Sequence, residues 1–121
     1  MESYLAAARS FDPPLERIVI PFEEKSIVAY LPLPPGSGPH PLVMHWGGID
    51  MWKEDTRQGA EAFLRRGMGS FTMEIPGTGE CPVAASATGE RVFSAALDYI
   101  VTRLEVDPRR IAVQGGSFGA Y

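Results

Sequence analysis

Ser117 stands in Gly115-Gly116-Ser117-Phe118-Gly119, a G-x-S-x-G pattern that directly follows the apolar run Ile111 to Gln114. A serine placed where a strand turns sharply into a helix holds its hydroxyl clear of the backbone. The flanking glycines are then mechanical, because a side chain at Gly115 or Gly119 would clash across the turn. The chemistry served by such a hinge is nucleophilic attack on a carbonyl. A glycine-rich turn carrying an ordinary serine is the plainer reading of the same five residues, and the preceding strand favours the nucleophile.

A second loop supports the first. His45-Trp46-Gly47-Gly48 also follows an apolar run, Pro41 to Trp46, and a double glycine lets a substrate carbonyl come within reach of backbone N–H donors. Both loops fall at the carboxyl ends of strands, where open α/β sheets hold their ligands. The expected oxyanion donors are therefore Phe118 and the Gly47-Gly48 pair. His45 is expected to support that loop by hydrogen bonding, and a further reading makes it the base of a minimal dyad with Ser117. His40 and His45 sit at opposite ends of one strand, about 16 Å apart at roughly 3.3 Å per residue, so they cannot share a metal. Asp50, Glu74 and Glu80 read as solvated or turn-capping carboxylates near the same edge. Cys81 is the only cysteine, which leaves no internal disulfide or cysteine-based zinc cage and reads as a small buried hydrophobe. No P-loop, dinucleotide fingerprint, HExxH or EF-hand pattern is present, so no cofactor and no metal are expected.

These loops need elements to carry them. Glu2 to Arg9 is alanine-rich and suits a short helix that Pro13-Pro14 cannot continue. Arg17 to Phe22 and Ser26 to Leu33 are β-branched or aromatic runs around a charged turn, the pattern of an antiparallel hairpin. Pro41 to Trp46 reads as a strand covered on both faces. Lys53 to Arg66 carries Ala60, Phe63 and Leu64 at helical spacing and ends at Gly67, which suits a left-handed stop. Ser70 to Ile75 is a further strand. From Gly89 to Glu105, Phe93, Leu97, Ile100 and Leu104 recur in steps of four, three and four, predicting a helix with those four on its buried face. Ile111 to Gln114 is the last strand. Hairpin, strand, helix, strand, helix, strand is an α/β order, with crossovers long enough to join parallel neighbours.

The bulk numbers agree. The 121 residues are 45% hydrophobic and 21% charged, an ordinary globular mix. The 13 glycines and 11 prolines imply many tight turns. Net charge is −4 without basic runs, which argues against nucleic acid or an anionic membrane surface as partner. No apolar run approaches the roughly 18 residues of a membrane span, and Met1 to Phe11 lacks a basic segment followed by an apolar stretch. The expected location is cytoplasmic.

With these residues in view, the chain resembles the α/β-hydrolase superfamily. Glu105-Val-Asp-Pro-Arg-Arg-Ile-Ala-Val-Gln-Gly-Gly-Ser-Phe-Gly119 is similar to its strand-to-elbow segment. Asp12-Pro13-Pro14, Gly47-Gly48-Ile49-Asp50 with Lys53-Glu54, and Pro76-Gly77-Thr78-Gly79-Glu80 resemble the branch of the 2,6-dihydroxypseudooxynicotine hydrolases and fungal pyrone-shortening hydrolases. Glu74 replaces the aspartate usual before the P-G-x-G-E motif. The resemblance implies Ser117 as nucleophile, Phe118 N–H and the Gly47-Gly48 loop as oxyanion donors, and a small ester or ketone substrate. It also implies an acid and a histidine after the nucleophile, where this sequence has only Phe118, Gly119, Ala120 and Tyr121. The expectation is therefore the N-terminal half of a hydrolase domain over 12–121, preceded by the remnant of a helical segment over 1–11, cut just after the elbow. A serine hydrolase inactive in this form is one reading. The other is a non-catalytic remnant that self-associates or takes a complementing C-terminal segment through an exposed edge strand.

Overall fold

The computed structural model describes residues 2–121. Helix α1 spans Glu2–Ala8, and the hairpin strands β1 and β2 span Arg17–Phe22 and Lys25–Tyr30. They pair antiparallel from Phe22↔Lys25 to Arg17↔Tyr30, with Glu23 in the left-handed region (φ 52°) at the two-residue turn. Strand β3 (His40–Trp46), helix α2 (Arg57–Leu64), β4 (Gly69–Thr72), helix α3 (Arg91–Ile100) and β5 (Val106–Gly115) follow. The five strands form one mixed sheet in the order β1-β2-β4-β3-β5, in which β3 is parallel to both β4 and β5. The chain thus leaves β3 for a neighbour on one side and comes back to a neighbour on the other. That reversal opens a crevice at the carboxyl ends of β3 and β5.

The two faces of the sheet differ chemically. Alternation along β3 sends Leu42, Met44 and Trp46 into a buried apolar cluster with Phe71, Met73, Val92, Ala96 and Ile100. On the opposite face the buried side chains are Val43, His45, Ser70 and Thr72, with Thr56 and Ala60 beside them. Ring contacts assign the helices to their faces: Trp46 stacks on Phe93 of α3 (4.3 Å), and His45 meets Phe63 of α2 edge to face (5.2 Å). Helix α1 joins this body through Tyr4, which stacks on Tyr30 (5.7 Å).

Several boundaries depart from the sequence reading. The stretch Lys53–Thr56 is a 3-10 turn, and the α-helix begins only at Arg57. Its end follows expectation. Gly67 adopts φ +76°, its N–H donates to Leu64 and the Met68 N–H to Phe63, so the last carbonyls are satisfied by a left-handed stop. Helix α3 is shorter than Gly89 to Glu105, and its buried residues are Val92, Ala96 and Ile100. Leu97 and Leu104 are exposed, Leu104 by 90%. The small Val92 and Ala96 permit close approach to the sheet, and the chain leaves helical geometry before Leu104 could join their stripe. Strand β5 begins at Val106, five residues before Ile111, and runs through Asp107-Pro108 past an irregularity between the His40 and Leu42 registers.

Phe71 is fully buried in the apolar cluster. Phe71→Ala should lower unfolding free energy by about 3–5 kcal/mol, whereas Leu104→Ala should stay within about 0.5 kcal/mol of the parent. Urea titration of both variants reads the difference, and a comparable loss in Leu104→Ala would reinstate the expected helix face.

Candidate active site

The crevice is built by glycines that allow two loops to touch. The Gly116 N–H donates to the Trp46 carbonyl (3.0 Å), so the ladder between β3 and β5 continues into the turn. Ser117 follows with φ 53°. This left-handed conformation is strained for a residue with a side chain, and Ser117–Ala120 then form a 3-10 turn closed by Gly119 N–H to Gly116 O (2.9 Å). A Cβ on Gly115 would overlap the Gly119 carbonyl, and one on Gly119 would overlap the Gly47 carbonyl. The Trp46 indole N–H donates to Gly119 O at 2.7 Å and braces the same turn. Gly48 faces Ser117: a Cβ there would lie 3.2 Å from Ser117 Cβ and 3.4 Å from both Ser117 Oγ and the Phe118 nitrogen. Ser117 and Phe118 are exposed at this junction.

The expected residues Ser117, Phe118, Gly47, Gly48, Gly115 and Gly119 therefore come together. His45 does not support the loop as expected. Its Nε2 lies 2.6 Å from Ser70 Oγ, a buried hydrogen bond to the next strand on the α2 side of the sheet. Strand alternation is the reason, because Trp46 takes the apolar face and sends its neighbour His45 to the other one. Burial disfavours the charged ring and lowers the His45 pKa from its ordinary 6.5 to about 4.

The carboxylates also part from expectation. Glu74 is buried rather than solvated, and Lys53 beside it is buried as well. Lys53 Nζ donates to Glu74 Oε1 (3.0 Å) and Oε2 (3.3 Å) and to Glu80 Oε2 (2.6 Å), with Glu54 Oε1 at 3.5 Å. Desolvation opposes the charge on Lys53, but the hydrogen bonds to Glu80 and Glu74 outweigh it and hold the ammonium above its ordinary pKa. Glu54 accepts from Tyr30 Oη at 2.7 Å. Burial first, then this bond to an anion, push the Tyr30 phenol well above its usual value. Spacing alone placed Lys53 at the start of an amphipathic helix. Only the clustering of Lys53-Glu54 with the Glu74–Glu80 segment could have signalled the pairing. Asp50, in contrast, is exposed as expected.

A family model described as esterase FrsA-like matches residues 1–121. The chain belongs to the FrsA-like esterase family. It is 35% identical over 122 residues to the 2,6-dihydropseudooxynicotine hydrolase of Paenarthrobacter nicotinovorans, covering 98% of this chain and 33% of that protein. Esterase FrsA of Vibrio vulnificus is 27% identical over 97% of this chain and 29% of its own length. The crystal structure of the 2,6-dihydroxy-pseudo-oxynicotine hydrolase superposes with a TM-score of 0.90 at 32% identity, over 98% of this chain and 34% of that one. A thermostable carboxylesterase from a metagenomic library shares the fold at TM-score 0.73 and 21% identity, over 98% of this chain and 44% of its own. The FrsA-like chain described here is thus a partial α/β-hydrolase fold, spanning about a third of the length of the curated relatives it matches. Its relatives are hydrolases and esterases. No helix among the described residues is long and apolar enough to cross a membrane.

The lowered pKa of His45 sets a pH window. Between about 6.5 and 4 the unfolded chain takes up a proton that the folded chain refuses, so this contribution is complete above pH 6.5 and is lost as pH falls toward 4. The loss amounts to about 3 kcal/mol at about 1.4 kcal/mol per pK unit. The stability difference between the parent and His45→Gln, measured by urea denaturation at pH 7 and pH 4, should shrink by that order. An unchanged difference would mean that His45 titrates normally.

Proposed function

We propose that the FrsA-like chain carries the nucleophile and oxyanion hole of a serine hydrolase acting on a small carboxylic ester, or on a carbon–carbon bond next to a carbonyl. Ser117 attacks the substrate carbonyl, and the backbone N–H groups of Phe118 and Gly48 receive the oxygen as it becomes negative. Water then releases the acyl group. The observation that supports this reading best is the left-handed Ser117 lying against Gly48, where a Cβ would be within 3.4 Å of both Ser117 Oγ and the Phe118 nitrogen. The Gly48 backbone, the Phe118 nitrogen and the Ser117 hydroxyl lie at one junction, which supports a reading as acyl transfer.

Proton transfer needs a base, and the two histidines of the sequence are otherwise engaged. His45 binds Ser70, and His40 Nε2 lies 3.3 Å from Gly36 O at the far end of β3. The base and acid of this reading come from outside the 121 residues, and the chain alone should turn over esters slower than a complete triad by roughly 10⁴ or more. A fluorophosphonate probe should form a slow adduct on Ser117, located by peptide mass spectrometry and lost in Ser117→Ala. An adduct that persists in Ser117→Ala would remove Ser117 from the role.

A second reading rests on β5. This strand forms one edge of the sheet, and its Ala112, Val113 and Gln114 are exposed, Val113 by 60%. Phe118 and Tyr121 stack in the open beside it. Such an apolar edge offers backbone groups to another strand, whether from a second copy or from a complementing hydrolase segment. Light scattering at rising concentration should show association of the chain alone. A monodisperse monomer with a cooperative melting transition would count against this reading.

A further inference from the structure

The outer residues of the 47–52 loop lie largely in solvent. Ile49, Met51 and Trp52 are exposed by 58, 41 and 62%. Few internal bonds hold it: Met51 N–H donates to Gly48 O at 3.3 Å, and Trp52 N–H to Asp55 Oδ2 at 3.0 Å. At its start the loop is fixed by the glycine contacts with the Ser117 turn. Its other end is Lys53, where exposure falls from 62% at Trp52 to 1% in a single residue.

What Lys53 enters is a cluster drawn from four separate segments. Glu74 comes from the chain just past β4 and accepts from both the Lys53 backbone N–H (3.3 Å) and its ammonium. Glu80 comes from the turn after Pro76, Glu54 from the 3-10 turn, and the phenol that holds Glu54 from the end of β2. The turn is shaped to admit this arrangement. Gly79 has φ +48°, and a Cβ on it would come within 2.6–2.8 Å of Glu74 Cγ, Cδ and Oε1. Burying an ammonium is costly unless its protons are taken up, and a hydrophobic residue would fill the same space at less cost. An ion cluster specifies position in a way that an apolar plug does not, because its hydrogen bonds are directional and fail when the backbone shifts by an ångström.

We infer that Lys53 and Glu74 are positioning residues: their buried cluster pins the far end of the 47–52 loop and so fixes the Gly48 backbone against Ser117. The inference rests on the nucleophile reading for its meaning but not for its detection. Neither side chain touches a reacting atom. The effect passes through five residues of backbone, a span too short to leave Gly48 indifferent to where Lys53 lies.

Amide hydrogen exchange on the 121-residue chain, resolved by residue, tests the anchor. In Glu74→Gln, exchange at Met51, Trp52 and Lys53 should accelerate by about tenfold or more, while Val43, Met44 and His45 in β3 stay within about twofold of the parent. Glu80→Gln supplies a variant whose altered side chain is 35% exposed and so keeps the fold, with about threefold acceleration expected at the same three amides. Equal acceleration in β3 and the loop would reduce the cluster to a general stabiliser and overturn the proposal, as would a loop that does not respond. Fluorophosphonate labelling of the same samples separates this inference from the one it rests on. A parent chain that never labels at Ser117 defeats the nucleophile reading while exchange still decides the anchor. Labelling that keeps its parental rate in Glu80→Gln despite a loosened loop defeats the positioning role alone.

Discussion

The arrangement at the crevice depends on one steric constraint: two loops from parallel strands approach until backbone meets backbone. Gly119 sits where any Cβ would overlap the Gly47 carbonyl, and Gly115 where one would overlap Gly119 itself. Close contact of this kind brings backbone from different segments together with no side chain between them. It also explains why Ser117 holds a left-handed conformation. The turn must double back within three residues to let Gly119 reach both Gly47 and the Trp46 indole, and the residue at its apex bears the strain. Strain of this size persists only where the surroundings leave no alternative, and here the Gly116–Trp46 and Trp46–Gly119 hydrogen bonds remove the alternatives.

The sheet divides its work between two faces. The α3 face is apolar and supplies most of the hydrophobic stabilisation, with Phe71, Met44, Val92, Ala96 and Ile100 all nearly inaccessible. The α2 face is a stripe of hydrogen-bonded polar side chains, His45 to Ser70 and Thr56 to Thr72, leading to the Lys53 cluster. Every buried side-chain polar atom among the described residues has a partner, so the stripe does not incur the cost of unmet hydrogen bonds. Polar pairs of this kind contribute less per residue than packing does, but they tolerate no sliding of α2 over the sheet. Helix α2 and the 3-10 turn before it carry the loop that faces Ser117. A face that resists sliding is therefore placed where register matters most.

Residues acting through backbone geometry were legible in the sequence, and residues acting through tertiary partners were not. The glycines at 47, 48, 115 and 119 could be read because glycine beside a strand end has few other reasons to recur, and the structure brings all four together. Gly67 was readable because a helix that stops in the left-handed region favours glycine. Lys53 and Glu74 were not, since a lysine near a helix start and a carboxylate near a turn are ordinary solvated residues until a distant segment closes over them. Helix α3 shows a third kind of limit. Leu97 and Leu104 fit helical periodicity better by hydrophobicity than Ala96 does, yet close packing within the buried apolar cluster rewards small side chains over large ones. His45 illustrates how one position decides chemistry. The loop reading placed its ring by proximity in sequence, whereas strand alternation sends it through the sheet to Ser70.

The buried ion cluster and the glycine contacts act at opposite ends of one short loop, and their failure modes differ. A glycine contact is enforced by repulsion: it limits how the loops can sit but does not draw them together. An ammonium among three carboxylates is enforced by attraction, since any outward movement of Lys53 leaves Glu74 buried without its counter-ion. Repulsion at one end and attraction at the other confine the loop in both directions. Neither alone would do so for a segment whose own side chains, Ile49, Met51 and Trp52, face solvent. A loop whose outer surface stays in solvent cannot be held by burying that surface, so its position has to be fixed from its two ends, which is where this chain places its least tolerant contacts.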